Sequence, residues 1–285
     1  MRAPSLILTV TAVVLAAVAC APAEEAKPTT PQVNGLACTK DKLTTLTAGK
    51  ITFGTDQPAY SPWFVDDDPT NGKGYESAVA YAVAGELGYA KGDVVWTRVP
   101  FNAAIQPGKK TYDADINQFS VTEERRQAVD FSAPYYEVAQ TVITLKSSKA
   151  ASAKTLADLK KVKIGAQVGT TSFDAAKRLQ TEQDVAVYNN NDDAKAALRA
   201  GQVEALVFDL PTAFYITSAE LEDGVILGQV PGGGGKREQF GIVLDKDSPL
   251  TGCVSTALEA LRAKGTLKEL EAQWLAGPGS APELK

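Results

Sequence analysis

The chain has no histidine among its 285 residues. That absence removes Ser-His-Asp and Cys-His nucleophilic chemistry, H-E-x-x-H zinc sites and histidine acid–base catalysis together. Basic charge is also short: the formal net charge is −5, and no basic stripe runs along the chain to neutralise phosphates, so nucleic acid is not an expected partner. Long apolar runs are missing apart from Leu6 to Ala19, which is too short to span a bilayer as a stable helix. Neither G-x-S-x-G nor G-x-G-x-x-G occurs, and Gly232 to Gly235 with Lys236 is not a phosphate loop, because Arg237 stands where Ser or Thr is required. Asp66-Asp67-Asp68 has the charge of a calcium loop but not its spacing. No metal, cofactor or catalytic residue is expected.

What is present begins with an export signal. Arg2 supplies a positive start, the apolar run follows, and Ala17-Val18-Ala19-Cys20 closes it. Small residues before a cysteine are similar to a bacterial lipobox, in which Cys20 is lipidated and becomes the first mature residue. An ordinary signal with Ala-x-Ala processing is the alternative. Residues 1–19 are thus the expected signal peptide. Residues 20–37 are an expected lipid-anchored flexible linker, rich in Ala, Pro, Glu and Thr from Ala21 to Gln32. Two cysteines remain, Cys38 and Cys253, which in an exported chain most simply form one disulfide; two buried thiols are the alternative.

The rest alternates strand and helix patterns. Ile51 to Thr55, Val94 to Val99, Val162 to Ala166, Val185 to Tyr188 and Ala205 to Phe208 read as strands. Glu76 to Gly88, Thr155 to Leu159, Ser172 to Leu179, Asp192 to Ala200, Pro211 to Ala219 and Leu250 to Trp274 read as helical. At 44% hydrophobic residues the chain can fill sizeable cores, and two series of alternations predict two α/β lobes. A Cys38–Cys253 bridge would bring the last helices beside the first strand. The chain would then leave the first lobe, build the second and return, with a cleft between them.

Several residues suit a buried zwitterion, whose carboxylate and ammonium both need partners when they lose water. Ser120-Val-Thr-Glu123 is a capping box, and Arg125 stands just inside the helix it opens, where a cation opposes the helix dipole. It is either sharing an anion with the helix end or solvated on a polar run. Gly169-Thr-Thr-Ser172 opens a helix after a strand and either cradles an anion or simply caps. Asp209 and Asp56 lie at the carboxyl ends of apolar strands, where α/β sheets bind ligands, although each also suits a turn or cap. Tyr60, Trp63 and Phe101 are candidates to pack round a ligand side chain, with core packing the commoner fate.

The landmarks also occur in a familiar order. Gly54-Thr-Asp56 with Tyr60-Ser-Pro62-Trp63, Gly74-Tyr75-Glu76, Ser120-Val-Thr-Glu-Glu-Arg125, Val129-Asp-Phe-Ser-Ala-Pro-Tyr135-Tyr136, Gly201-Gln-Val-Glu-Ala-Leu-Val-Phe-Asp209 and the end at Gln273-Trp274 follow one another. From Cys38 to about Gly277 the chain resembles the polar amino-acid family of ABC-transporter solute-binding proteins (family 3). The resemblance implies a two-lobe periplasmic-binding-protein type II fold, each lobe a mixed sheet flanked by helices. Lobe 1 would be residues 38–138 plus 241–277, lobe 2 residues 139–240, and 278–285 a tail. Hinge crossings are expected near Tyr135 to Ala139 and Lys236 to Phe240. By the same resemblance Arg125 would hold a ligand α-carboxylate, helped by Ser120, Thr170 and Thr171. Asp209 would take the α-ammonium, Tyr60 and Phe101 would sandwich the side chain, and Asp56, Gln118 and Gln167 would line its far end. The implied role is a monomer, tethered by lipid to the outer face of the cell membrane, that passes a polar or cationic amino acid to an ABC permease. An enzyme of dehydratase type on the same fold, or a sensor module for a membrane receptor, is the alternative.

Overall fold

The computed structural model describes residues 32–33, 36–235, 237–275 and 281–285. The signal peptide, Cys20, most of the expected linker, and Lys236 lie outside the described residues. The first described residues are two short strands, β1 (Gln32–Val33) and β2 (Leu36–Ala37), paired antiparallel beside the helix that carries Cys253. The stretch expected as linker through residue 37 therefore ends in paired strand.

Strand β3 (Ile51–Thr55) is buried at all five positions, as a central strand covered on both faces requires. Helix α1 (Tyr75–Glu86) follows, burying Tyr75, Val79, Ala80, Val83 and Ala84. Its N-cap, Gly74, has φ 95°, and a Cβ there would collide with the Trp63 carbonyl, so only glycine fits the step into the helix. Next come β4 (Val94–Arg98), the short helix α2 (Phe101–Ala104), β5 (Ala114–Asp115), the short helix α3 (Glu123–Arg126) and β6 (Asp130–Phe131). Strand β7 (Tyr136–Val138) leads out to β8 (Gln140–Leu145).

The second series is β9 (Ile164–Gln167), α4 (Thr171–Arg178), β10 (Ala186–Tyr188), α5 (Asn191–Arg199), β11 (Ala205–Asp209), α6 (Leu210–Tyr215) and β12 (Gly224–Val230). Strand β13 (Glu238–Phe240) returns to β14 (Val243–Leu244), and α7 (Thr251–Ala263) and α8 (Thr266–Trp274) finish the first lobe. Gly265, at φ 82°, separates those two helices within the stretch read as helical from Leu250 to Trp274.

Two five-stranded mixed sheets result. The first has the order β4-β3-β5-β14-β6, the second β10-β9-β11-β8-β12. In the first, β3 runs parallel to β4 and β5, and β14 runs antiparallel to β5 and β6. In the second, β9 is parallel to β10 and β11, while β8 is antiparallel to β11 and β12. Each lobe thus contains one reversal that alternation alone does not predict. The crossings β7 and β13 pair antiparallel as a separate two-stranded ribbon. Cys38 and Cys253 are bonded, with Cα atoms 5.3 Å apart, joining the start of the first lobe to α7.

Two local readings change. Thr155 to Leu159 is not an α-helix; a 3-10 turn covers Asp158–Lys161 instead, and the Asp158 carboxylate accepts from the amides of Lys154 and Thr155 ahead of it. The expected tail is not free of the lobes in its described part. Leu284 is 3% exposed among the apolar residues of the second lobe, and Glu283 bridges to Gln229 on the edge of β12. Covering that edge satisfies backbone groups that would otherwise stay unpaired, since Gln229 N donates to Pro282 O at 2.7 Å and Leu284 N to Gln229 O at 2.9 Å.

Candidate functional site

Between the two sheets lies a cleft of about 600 Å³, counting its solvent-facing mouth. Nine of the sequence-predicted residues line it: Asp56, Tyr60, Phe101, Gln118 and Arg125 from the first lobe, and Gln167, Thr170, Thr171 and Asp209 from the second. The strand ends explain the convergence. Asp56 directly follows β3, Gln167 ends β9 and Asp209 ends β11, so the carboxyl edges of both sheets face each other.

Arg125 is held from several sides. Thr122 caps α3 by accepting from Arg125 N at 3.1 Å. The guanidinium donates through Nη1 to Ser120 O at 2.7 Å and through Nη2 across the cleft to Gly169 O at 2.9 Å. It lies 5.5 Å from the centre of the Phe101 ring, which stacks on Phe119 at 4.9 Å. Burial pushes its pKa below the usual guanidinium range, opposed by the carboxylates of Glu238, Asp174 and Asp209. Gly169 has φ 72°, and a side chain there would run into Asn102 Oδ1 of the first lobe, so glycine is what lets the loop before α4 approach Arg125.

Opposite stands Asp209. Its Oδ1 accepts from Gln140 Nε2 at 2.8 Å, and Oδ2 has no hydrogen-bond partner among the described residues. Burial, then the neighbouring Glu238 carboxylate, push its pKa up to about 8. Such a carboxylate waits for a cation. The Gln140 amide is fixed by its other partners: Oε1 accepts from Ser172 Oγ at 2.6 Å, and Nε2 also donates to Glu238 Oε2 at 3.1 Å.

The side-chain end of the cleft is mixed. Asp56 accepts from Gln57 N at 2.7 Å and Phe101 N at 3.2 Å, and burial raises its pKa while nearby Arg98 pulls it down. Arg98 itself pairs with Asp67 at 2.8 Å. Lys195 Nζ lies 5.4 Å from the Tyr60 ring and is neutralised by Asp192, at 2.8 Å, and by Glu220. Gln118 turns its amide away from the cleft: its N donates to Glu76 Oε1 at 2.7 Å, and its Nε2 donates to the same carboxylate. Burial pushes Glu76 up to about 7 against the hydrogen bonds from Tyr135 and Gln118. Thr170 serves mainly as the α4 cap, accepting from Phe173 N at 3.1 Å while donating to Gln167 O at 2.8 Å.

Two expected residues are elsewhere. Trp63 is fully buried in the first lobe, edge-on to Tyr75, Tyr136 and Phe240 with ring centres 5.6–6.1 Å away. The turn in which Trp63 N and Phe64 N both bond Tyr60 O sends Tyr60 to the cleft and Trp63 to the core. Ser120 is not in the cleft lining either. Its hydroxyl donates to Glu238 Oε2 at 2.9 Å, and what it offers Arg125 is its carbonyl. Conversely, Asn117, Asn191 and Thr212 line the cleft without having been singled out. Asn191 follows a strand and opens a helix, and Thr212 lies three residues after Asp209, so the strand-end argument already pointed near both.

Cross-lobe contacts at Arg125–Gly169, Ser120–Thr171 (Oγ to Oγ1, 3.1 Å) and Trp63–Thr212 show the lobes closed on each other. Among the described residues no cluster of His, Cys, Asp and Glu could hold a metal, and no helix is long and apolar enough to cross a membrane.

Comparison with known proteins agrees with this geometry. The family model for bacterial extracellular solute-binding proteins, family 3, matches residues 51–277. An L-arginine-binding protein of Pseudomonas aeruginosa is 28% identical over 234 residues, covering 77% of this chain and 88% of that protein. Among solved structures, an ancestral arginine-binding protein bound to glutamine superposes with a TM-score of 0.68 at 30% identity, over 81% of this chain and all (100%) of the other. An ancestral amino acid-binding protein described as a precursor of cyclohexadienyl dehydratase gives 0.66 at 29% identity, over 79% and 95%.

Proposed function

Because the chain belongs to the bacterial extracellular solute-binding proteins, family 3, we propose that it captures one free amino acid between its lobes for an ABC-type importer. The ligand has a polar or cationic side chain. One observation carries the reading: Arg125 and Asp209 face the same closed cleft from opposite lobes, a fixed cation for an α-carboxylate and a desolvated anion for an α-ammonium.

The mechanism follows from where the groups sit. In the closed form Arg125 Nη2 uses Gly169 O, a neutral acceptor that a ligand carboxylate replaces with a charged one. The first N–H groups of α4, next to Thr170 and Thr171, add dipolar donors to the same anion. The ligand ammonium restores a counter-charge to Asp209 and favours its ionised form. Since the anion and cation partners belong to different lobes, only the closed form satisfies both, and ligand shifts the population towards closure. Asp56, Gln167 and Asn191 give the side-chain end hydrogen-bonding capacity, and Asp56 suits a cationic group. A permease then reads the closed shape. Cys20 supplies a lipid tether on the outer face of the membrane, and the protein acts there as a monomer.

The dehydratase-type enzyme remains the second reading, favoured by the similarity to the ancestral precursor and by buried Glu76, a carboxyl next to the cleft whose pKa burial pushes up to about 7. The discriminating experiment is a thermal-shift panel of the twenty common amino acids on mature protein stripped of bound ligand, followed by calorimetry and recovery of the ligand. Saturable binding with ligand returned unchanged supports capture. Turnover of the ligand supports the enzyme, and no response to any amino acid rejects the assignment of Arg125 and Asp209.

A further inference from the structure

The cleft lining omits a carboxylate that the polar network does not. Glu238 lies on β13, the returning crossing, and its Oε2 accepts from Ser120 Oγ of the first lobe at 2.9 Å and from Gln140 Nε2 of the second at 3.1 Å. The same Gln140 nitrogen donates to Asp209 Oδ1 at 2.8 Å. Gln140 is 3% exposed, and the bond from Ser172 Oγ to its Oε1 fixes which end of the amide faces the carboxylates. One amide nitrogen therefore holds two carboxylates, one in the ammonium site and one in the hinge.

We propose that Glu238 is a positioning residue of the amino-acid site: it anchors Gln140, and through it Asp209, and sets a second negative charge behind the ligand ammonium. The inference rests on the amino-acid reading above. Two carboxylates bound to one donor repel each other, and a ligand ammonium beside Asp209 relieves that repulsion. The ligand-free site is thereby held in a state that a cation improves. The other charged or titratable groups acting on Asp209 are Glu76, Arg125, Tyr135 and Tyr136, none of which is bonded to Gln140. Because Ser120 belongs to one lobe and Gln140 to the other, Glu238 also links the ammonium site to the relative position of the lobes.

The test is Glu238→Gln, which keeps the shape and an acceptor but loses the charge, with Glu238→Ala in parallel. Binding of L-arginine and L-glutamine is followed by calorimetry from pH 5 to 8.5 in buffers of different ionisation enthalpy, which counts protons released per ligand. In the native protein a proton leaves Asp209 on binding near pH 7, and affinity rises with pH. E238Q is expected to release fewer protons at pH 7, to move the rising limb to lower pH, and to bind roughly 3–10-fold more weakly at pH 8.5. An unchanged proton count with affinity within about twofold at every pH overturns the proposal, as does a uniform loss at all pH in both variants, which marks Glu238 as merely structural. If the native protein binds none of the common amino acids, the amino-acid reading itself falls, and this one with it.

Discussion

The indole of Trp63 donates to Thr212 Oγ1 at 2.8 Å, a buried hydrogen bond that joins the core of one lobe to the first turn of α6 in the other. An open cleft separates these groups and returns both to water, so the bond belongs to the closed form. Trp63→Phe keeps most of the apolar packing and deletes the donor. It should cost about 0.5–1.5 kcal/mol of closed state, a loss of roughly 3–10-fold in ligand affinity. Calorimetry with native and variant protein checks this; equal affinities would mean that the bond does not distinguish open from closed.

Arg125→Ala leaves a ligand carboxylate buried opposite no cation. A loss of roughly 3–5 kcal/mol is expected, about two to four decades in affinity. Thermal stability without ligand should fall less than affinity does, because the guanidinium's hydrogen bonds are to two neutral backbone carbonyls, Ser120 O and Gly169 O, each worth about 1 kcal/mol. Near-normal binding by the variant would remove Arg125 from the site.

Asp115 presents a pH prediction of its own. It is fully buried in the first lobe, and neither carboxylate oxygen has a hydrogen-bond partner among the described residues. Burial, then the neighbouring Glu76 and Asp56 charges, raise its pKa well above 3.8. The folded protein then keeps a proton that the unfolded chain gives up, so stability falls as pH rises from about 3.8 towards the raised folded value. Asp115→Leu, similar in shape and without charge, should raise stability by roughly 1–3 kcal/mol at pH 7 and flatten the decline. Chemical denaturation at pH 4 and pH 7 measures both effects, and a variant less stable than native at pH 7 would show that the carboxyl has an unrecorded partner.

Removing the Cys38–Cys253 bond frees a loop with a sequence separation of 215. Loss of a native disulfide typically costs about 2–5 kcal/mol, felt here first in α7 and the segment around Cys38. Hydrogen exchange on a Cys38→Ser, Cys253→Ser double variant should show that protection is lost there while the second lobe keeps its own. Ligand affinity at low temperature should survive, since neither cysteine touches the cleft.

How much of this was legible in the sequence depends on the distance over which each residue acts. Asp56 and Asp209 line the cleft where the strand-end pattern, which is local, points, since sheets present those ends to ligands; Gln167 came instead from the family resemblance. Arg125 stood out for a local conflict with its helix dipole. Trp63 was misplaced because apolar character does not tell which side of a turn an aromatic will face; that is decided by two backbone bonds to Tyr60. Ser120 reads as an anion donor beside Arg125, yet its hydrogen goes to Glu238, 118 residues further on. No window of sequence contains that pair. The reversal of β8 and β14 in otherwise parallel sheets, and the docking of Leu284 on β12, are likewise decided by tertiary closure.

The position of β14 bears on how the molecule is made. Val243 pairs with Asp115 on one side and Phe131 on the other, so β5 and β6 have no shared neighbour until residue 243 has been synthesised. The second sheet, β8 to β12, is drawn from one unbroken stretch of chain. A polypeptide emerging N-terminus first can therefore finish its inserted half while the half that began earlier is still waiting for the strand that joins β5 to β6. A fragment ending at residue 240 should resist protease across β8 to β12 and be cut freely before β7.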